Sequence, residues 1–292
     1  MAASTTLRTR ITAATLTIPT ARGPLRYRGR PLIMGIVNVT PDSFSDGGLF
    51  RDARQAVAHG VRLAEEGADL LDIGGESTRP GSRGVRLEEE LHRVLPVVGG
   101  LARQVRVPLS IDTSKAEVAA RCLDAGAAII NDVTALAGDP QMTAVAAARK
   151  AAVILMHMQG RPRTMQHRPR YHEVVADVCE ALRRRVQAAV AAGIDRRRLL
   201  IDPGLGFGKT VAQNLALMRH LSDLVGLGLP VVLGPSRKSF IGATLGAEVQ
   251  DRLAGTLACV AQAAHSGVHI VRVHDVKPAA DVIRMLAAIE GA

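Results

Sequence analysis

Short apolar segments of this chain repeatedly end in a polar side chain. Asp112 and Asp202 each close such a segment, and Asn131 stands next to last in another. Carboxylate and amide oxygens accept hydrogen bonds, and a narrow site lined by them suits a ring that presents N–H and amine donors. We therefore expect these three residues to bind a heterocycle of the guanine or pterin type. A single such residue most often caps a helix, so the argument depends on their recurrence.

A second set of polar side chains donates hydrogen bonds, and most of its members are cationic. The set comprises Thr78, Arg79, Lys238, Arg272 and His274. The planar guanidinium group of arginine is well shaped for paired contacts with a phosphate. These residues therefore predict a phosphate or pyrophosphate group on the same substrate.

The glycine-rich stretch GLGFGKT, at 204–210, is similar to a loop that binds nucleoside triphosphates. The pattern of that loop, G-x-x-x-x-G-K-[ST], requires glycine at a position where this chain has Pro203. The pattern therefore does not fit. We expect the glycines instead to permit a tight turn beside Asp202 that presents Phe207, one of few aromatic residues.

Eight short apolar runs are predicted to be strands. They are Leu32–Asn38, Leu70–Gly74, Leu109–Asp112, Ile129–Asp132, Ala152–Met156, Leu199–Asp202, Val231–Gly234 and His269–Val273. Between these runs the apolar residues recur at helical spacing, as in the stripe formed by Val174, Val178 and Leu182. Continuously apolar strands that alternate with helices are typical of a parallel sheet. Eight such units predict one α/β domain, a (β/α)8 barrel.

The barrel is predicted to span residues 31–292, with residues 1–30 as an N-terminal extension. In such a barrel the carboxyl ends of all strands meet at one opening, which would bring the polar residues together. Within the extension, Leu16–Ile18 and Leu25–Tyr27 are predicted to be extended pieces that flank a Gly-Pro turn and cover the base of the barrel. The lack of acidic residues in the extension also fits a transit peptide, which we consider the weaker reading.

The composition excludes several classes of protein. Hydrophobic residues make up 47% of the 292 residues, which is enough for a packed core. No uninterrupted apolar run reaches the roughly 18 to 20 residues of a membrane span, so no membrane partner is expected. Cys122, Cys179 and Cys259 stand singly and far apart, which fits neither a metal site nor a disulfide framework. The expected location is the cytoplasm.

The chain is strongly basic, with a formal net charge of +10. Such a charge is common in nucleic-acid-binding proteins, but here the basic residues are spread among carboxylates in short clusters such as Arg183–Arg185. A solvated helix face and an anionic small substrate both account for them. No nucleic-acid partner is expected.

Several long motifs, in order and one per strand, resemble the dihydropteroate synthases, the folate-pathway enzymes that sulfonamides inhibit. The motifs are IMGIVNVTPDSFSDGG, DIGGESTRPG, IDT, NDV, LMHMQGRPRTMQ, IDPGLGFGK, SRKSFIG and RVHDV. The similarity extends from about Ile33 to the C-terminus. Modest departures from the family pattern are Arg161 and Pro235, and they bear on inhibitor sensitivity more than on reaction type.

The resemblance implies a transferase that condenses 6-hydroxymethyl-7,8-dihydropterin pyrophosphate with 4-aminobenzoate, giving 7,8-dihydropteroate and pyrophosphate. It implies Mg²⁺ as cofactor, with Asn38 as the metal ligand. It also implies a homodimer formed through helices near the C-terminal end of the chain.

The same resemblance assigns roles to the polar residues. The pterin side would comprise Asp112, Asn131, Asp202 and Lys238, and the pyrophosphate side Thr78, Arg79, Arg272 and His274. The aminobenzoate would lie beside Phe207 and Ser239, with Arg237 and Pro80 as weaker candidates. The catalytic residues would be Asp46, Phe44, Arg79 and Lys238. Asp46 and Phe44 belong to the loop 40–48, which would close over the reacting centre and reopen for product.

Three other functions fit some of these features. A pterin-binding methyltransferase domain would share the acidic pocket but would need neither the pyrophosphate-binding cations nor the TPDSFSDGG motif. A paralogue of low activity would keep every motif. A basic nucleic-acid-binding protein would bind DNA with a steep salt dependence and would not bind pterin.

Overall fold

The computed structural model describes residues 15–39, 48–77, 81–82, 84–160 and 163–291, and only the backbone of 48–52. Its strands are β1 (Thr15–Thr20), β2 (Gly23–Arg28), β3 (Leu32–Asn38), β4 (Leu70–Gly74), β5 (Leu109–Asp112), β6 (Ile129–Asp132), β7 (Ala152–Met156), β8 (Leu199–Asp202), β9 (Val232–Leu233) and β10 (Ile270–Val273). Its α-helices are α1 (Gly48–Glu65), α2 (Leu87–Gln104), α3 (Ala116–Ala125), α4 (Met142–Ala148), α5 (Val174–Ala191), α6 (Val211–Arg219), α7 (Leu221–Val225), α8 (Ser239–Leu245), α9 (Leu253–His265) and α10 (Val276–Gly291). No helix within these ranges is long and apolar enough to cross a membrane.

Strands β3 to β10 form one parallel sheet that closes into a barrel. Their order is β8-β7-β6-β5-β4-β3-β10-β9. The two edges meet where Ile201 of β8 bridges to Val231, next to β9, and the Ile201 N–H donates to the carbonyl of Pro230 at 2.9 Å. The predicted (β/α)8 fold is therefore confirmed.

Six of the eight predicted strands have the predicted bounds, and the last two are shorter. The His269 side chain accepts a hydrogen bond from the Val231 N–H at 3.1 Å, and the Val231 carbonyl accepts from the N–H groups of both His269 and Ile270. This doubled contact takes His269 out of the regular ladder, so β9 and β10 begin one residue later than predicted. At its far end β9 stops before Gly234.

The barrel encloses an apolar interior made by alternate residues of its strands. That interior cluster includes Met34, Leu70, Ile129, Ile154, Leu200 and Ile270. The intervening residues, such as Ile33 and Ile130, point outward and pack with the helices in a second and larger cluster. Because side chains alternate between the faces of a strand, every second residue after an interior one points into the barrel. This alternation sets where the polar side chains go.

An antiparallel hairpin of β1 and β2 packs against the beginning of the barrel strands. Ile18 and Leu25, exposed by only 1% and 5%, join the interior cluster, and the Ala21 N–H donates to the Ala128 carbonyl at 3.3 Å. The turn lies at Ala21–Arg22, where the Thr20 hydroxyl accepts from the Arg22 N–H. The predicted Gly-Pro turn is wrong, because Gly23 already belongs to β2.

Candidate active site

The strand register brings several predicted site residues to one level of the barrel. Asn38 pairs with Gly74, and Gly74 pairs with Asp112. Asp112 in turn pairs with Asn131 on the next strand. Asn131, Asp202 and Arg272 each follow an interior residue by two positions, so their side chains point into the barrel mouth rather than toward the helices.

A buried ion-pair network occupies the floor of this mouth. The guanidinium of Arg272 donates from Nε to Asp72 Oδ2 at 2.6 Å and from a terminal nitrogen to Asp112 Oδ2 at 2.9 Å. Asn131 Nδ2 donates to the same Asp72 oxygen at 3.0 Å. Four strands thus contribute to one polar cluster, and Arg272 lies within the acidic set rather than apart from it.

Two carboxylate oxygens of this network have no hydrogen-bond partner among the residues that the structure describes. They are Oδ1 of Asp72 and Oδ1 of Asp112, and both are buried. Burial raises the pKa of Asp112 to about 7, an effect that Arg272 opposes and the charge of Asp72 reinforces. An unpaired buried acceptor is unfavourable until a donor reaches it. The site is therefore prepared for a ligand that brings N–H groups.

Asp202 and Lys238 form the other side of the mouth. Asp202 accepts from the Gly204 N–H at 2.7 Å, and burial raises its pKa while Lys238 acts against that rise. Burial also lowers the pKa of Lys238 to about 8, with Asp202 favouring its charged form. Lys238 Nζ donates to the carbonyl of Leu205. The charges of the Asp202 carboxylate and the Lys238 ammonium group thus influence each other, and together they offer a ring one acceptor and one donor.

The glycine-rich loop after β8 folds around Lys209 and does not form a phosphate loop. Lys209 Nζ, only 3% exposed, donates to the carbonyls of Gly204 and Phe207 at 2.9 and 3.0 Å and contacts Nδ1 of His157 at 3.0 Å. Gly204 has a φ of +66°, and a Cβ there would lie 2.0 Å from the His157 carbonyl oxygen. Only glycine fits this approach.

The same loop places Phe207 beside the lysine of the mouth. The Phe207 ring is half-buried, and its centroid lies 4.4 Å from Lys238 Nζ. Ser239, the first residue of α8, is exposed next to Lys238. Arg237, at a φ of 57°, is turned to Asp275, which it contacts through two hydrogen bonds. An aromatic wall and a hydroxyl group therefore border the opening where the aminobenzoate is expected.

A cavity of about 500 Å³ adjoins Asn38 at the end of β3. It is lined by Ile36, Asn38, Gln55, Ala58, His59, Arg62 and His274. His274 is hydrogen-bonded to the Ser236 hydroxyl at 2.9 Å. The residue predicted to hold a metal and one predicted to hold pyrophosphate thus line a common space.

Five of the predicted site residues lie outside the described residues. They are Phe44, Asp46, Thr78, Arg79 and Pro80. Their roles remain predictions from the sequence. The structure describes the segments next to them, up to Val39 and up to Ser77, and both end at the mouth of the barrel.

The sequence predictions missed Asp72, which is completely buried in the middle of β4. They considered residues at strand ends, and Asp72 stands two positions before the end of its strand. A signal was present, because a carboxylate inside an otherwise apolar strand requires a buried partner. The partner is Arg272, which lies 200 positions away along the chain.

The barrel and its mouth define a class of protein. Buried acceptors and cations lie together in the mouth, and a family model described as pterin binding enzyme matches residues 34–274. The chain therefore belongs to the family of pterin-binding enzymes. Within that family its relatives are dihydropteroate synthases.

The similarity to these relatives covers nearly the whole chain. The dihydropteroate synthase of Escherichia coli is 45% identical over 92% of this chain and 95% of its own length. The solved Xanthomonas albilineans dihydropteroate synthase with 4-aminobenzoic acid is 49% identical, with a TM-score of 0.89 over 96% of this chain and 100% of that one. The same enzyme in complex with 7,8-dihydropteroate has 48% identity and a TM-score of 0.82, over 90% of this chain and 95% of that one.

Proposed function

We propose that this chain condenses 6-hydroxymethyl-7,8-dihydropterin pyrophosphate with 4-aminobenzoate, giving 7,8-dihydropteroate and pyrophosphate. The observation that carries this proposal is the mouth itself, where Oδ1 of Asp112 has no partner among the described residues and Asp202 and Lys238 lie close enough for each charge to shift the pKa of the other. An edge of a pterin that presents N–H donors and one carbonyl acceptor matches this arrangement. The named relatives support the same reaction.

The reaction breaks the bond between the pterin methylene carbon and a pyrophosphate oxygen. It forms a bond from that carbon to the amine nitrogen of aminobenzoate, which then loses a proton. Departure of pyrophosphate leaves positive charge delocalised over the methylene group and the ring, so buried carboxylates under the ring favour the transition state. We assign this role to Asp112 and Asp202 because both carboxyl groups are buried in the mouth, and the roles of Phe44, Asp46 and Arg79 are likewise proposals.

A coupled assay for pyrophosphate release tests the reaction. Release should require both the pterin pyrophosphate and aminobenzoate, and omission of either should abolish it. Binding of the pterin without release of pyrophosphate would contradict the proposal and favour a methyltransferase-like domain. Slow release that depends on both substrates would indicate a paralogue of low activity.

The buried charges predict a bell-shaped pH dependence of kcat/KM for the pterin substrate. Asp112 accepts ring N–H groups best when ionised, and its pKa is raised to about 7, so activity should fall as pH drops through that value. Lys238 is a strong, charged donor only when protonated, and its pKa is lowered to about 8, so activity should also fall as pH rises through that value. Rates measured from about pH 5 to about pH 10 would show both limbs.

A matched variant separates the alkaline limb from general loss of activity. Lys238→Arg keeps the positive charge at every accessible pH. Whatever activity it retains should lack the decline near pH 8 that burial of Lys238 predicts. If the variant and the parent protein decline together at high pH, Lys238 does not set that limb.

We propose Mg²⁺ as the cofactor, held by Asn38. The amide of Asn38 lies half-buried at the cavity shared with His274. In the described part of the chain no group of three or more His, Cys, Asp and Glu residues could hold a metal. Mg²⁺ commonly combines one or two protein oxygens with substrate phosphates and water, which fits a single amide ligand. When bound, it would supply positive charge for the pyrophosphate.

Asn38→Ala should raise the Mg²⁺ concentration that gives half-maximal rate by about tenfold, because one oxygen ligand is removed. The measurement is a titration of initial rate with Mg²⁺ at saturating substrates. Gln55→Ala is a suitable control, since its side chain lines the same cavity further along α1. An unchanged Mg²⁺ titration for Asn38→Ala would remove this residue from the metal site.

We propose a homodimer formed through α8, α9 and α10. Large apolar side chains are exposed on these helices, at Leu245, Leu253, Met285 and Ile289, and at Val249 in the turn between α8 and α9. A surface on which such side chains gather is typical of an interface. Leu253→Glu should shift the mass measured by light scattering from dimer to monomer, and a monomeric parent protein would refute the proposal.

We also propose a cytoplasmic location, consistent with the three free cysteines.

A further inference from the structure

Asp72 lies one layer below the mouth of the barrel and is completely buried. One of its oxygens, Oδ2, accepts hydrogen bonds from Arg272 Nε at 2.6 Å and from Asn131 Nδ2 at 3.0 Å. Both donors belong to residues predicted to contact substrate. Its other oxygen is buried and accepts no hydrogen bond from the described residues, so all the hydrogen bonds that the structure describes for this side chain use Oδ2.

The contact with Asp72 determines which way the Asn131 amide points. An amide has an NH₂ group on one side and a carbonyl oxygen on the other, and the hydrogen-bond network decides between the two orientations. With Oδ1 toward Asp72 two acceptors would meet, so the NH₂ group must face the carboxylate. One N–H is then used by Asp72, and the carbonyl oxygen and the second N–H remain for a ligand.

The same oxygen of Asp72 also positions Arg272. Because Nε is held by Asp72, the terminal nitrogen of the guanidinium reaches Asp112 at 2.9 Å. That second bond occupies Oδ2 of Asp112 and leaves Oδ1 unpartnered. Asp72 therefore determines, through Arg272, which oxygen of Asp112 is available to a ligand.

We infer that Asp72 is a positioning residue that sets the donor and acceptor pattern of the pterin site through Asn131 and Arg272. The inference rests on the proposed function, since it takes a pterin as the ligand. Asp72 would thus help to select the hydrogen-bonding edge of the pterin without contacting the pterin itself. A ligand edge must present donors to Asn131 Oδ1 and Asp112 Oδ1 to match the pattern.

Two single substitutions and their combination test this role. In Asp72→Asn the residue can offer an NH₂ group to Asn131, so the Asn131 amide can turn over. The Kd for 6-hydroxymethylpterin, measured by calorimetry, should rise about tenfold to a hundredfold, as expected when a buried acceptor loses its partner. Asn131→Asp should weaken binding similarly, because two carboxylates then face each other. In both single variants the KM for aminobenzoate should stay near the parent value.

The combined exchange Asp72→Asn with Asn131→Asp restores both the total charge and a donor-acceptor pair between the two positions. It should bind 6-hydroxymethylpterin more tightly than either single variant, which a purely structural role of Asp72 does not predict. Since the exchange preserves the pair, it also serves if Asp72→Asn alone fails to fold.

Asp132→Asn is the matched control. Asp132 is equally buried on β6, next to Asn131, but its oxygens accept hydrogen bonds from groups of Thr134 and Leu136 in the following turn. This variant should lower the thermal midpoint without changing the Kd for the pterin. Unchanged pterin binding by folded Asp72→Asn, or an exchange variant no better than both single variants, would overturn the inference. Failure of the parent protein to bind 6-hydroxymethylpterin would instead refute the proposed function.

Discussion

Arg272→Met should nearly abolish pterin binding and should lower the free energy of unfolding by about 3 to 5 kcal/mol, as is typical when one partner of a buried ion pair is removed. The substitution keeps the length of the side chain but leaves the carboxylates of Asp72 and Asp112 facing each other in the barrel. Burial and the charge of Asp72 raise the pKa of Asp112, and the positive charge of Arg272 limits that rise. Without it Asp112 should be protonated at neutral pH and lose its value as a charged acceptor.

The sign of the pH effect distinguishes this mechanism from simple unfolding. The Asp112 pKa should move above its present value of about 7 in Arg272→Met, so the acid limb of the pH profile should shift to higher pH. Residual binding of 6-hydroxymethylpterin should therefore improve as pH is raised. An acid limb that stays in place in a folded variant would show that Arg272 does not control Asp112.

The control for this variant is Arg149→Met. Arg149 makes a two-pronged ion pair with Asp124 at 3.0 Å, but both side chains lie at the protein surface. Exposed pairs contribute about 0 to 1 kcal/mol, so this variant should keep both its stability and its pterin affinity. Calorimetric unfolding of the two variants side by side separates the buried pair from the exposed one.

Asp202→Asn should weaken pterin binding by about tenfold to a hundredfold, which corresponds to about 1.5 to 3 kcal/mol for a hydrogen bond to a charged group. Two effects combine. The carboxylate becomes a weaker acceptor, and the nearby charge that favours protonated Lys238 disappears. Because burial already lowers the Lys238 pKa to about 8, loss of Asp202 should lower it further and make the lysine neutral near physiological pH.

The measurement for Asp202→Asn is calorimetric titration with 6-hydroxymethylpterin at several pH values. The alkaline limb of binding should move to lower pH than in the parent protein. Asp195→Asn is the control, because Asp195 precedes the same strand at the opposite end of the barrel, where its carboxylate accepts from the Arg197 N–H and pairs with the Arg197 side chain. Equal pterin affinity of Asp202→Asn and the parent protein would remove Asp202 from the pterin site.

The order of strands and helices could be predicted from the sequence because each barrel strand is a run of mostly apolar residues, and β3, β5, β6 and β8 end in a polar one. Buried parallel strands cannot expose either face, so their composition marks their bounds, and six strands matched to the residue. The residues of the mouth followed from the same rule, since Asp112 and Asp202 end their strands and must project at the carboxyl edge. These are local properties, readable within a few residues.

The tertiary structure decided the features that depend on contacts between distant segments. Asp72 becomes part of the site because Arg272 reaches it across the barrel, and the sequence around Asp72 does not indicate which residue will be its partner. His269 shortens the last two strands because its ring meets Val231, 38 positions away. The shifted pKa values of Asp112 and Lys238 also arise from burial and assembled charges. Electrostatic energy depends on distance and dielectric environment, which exist only once the chain has folded.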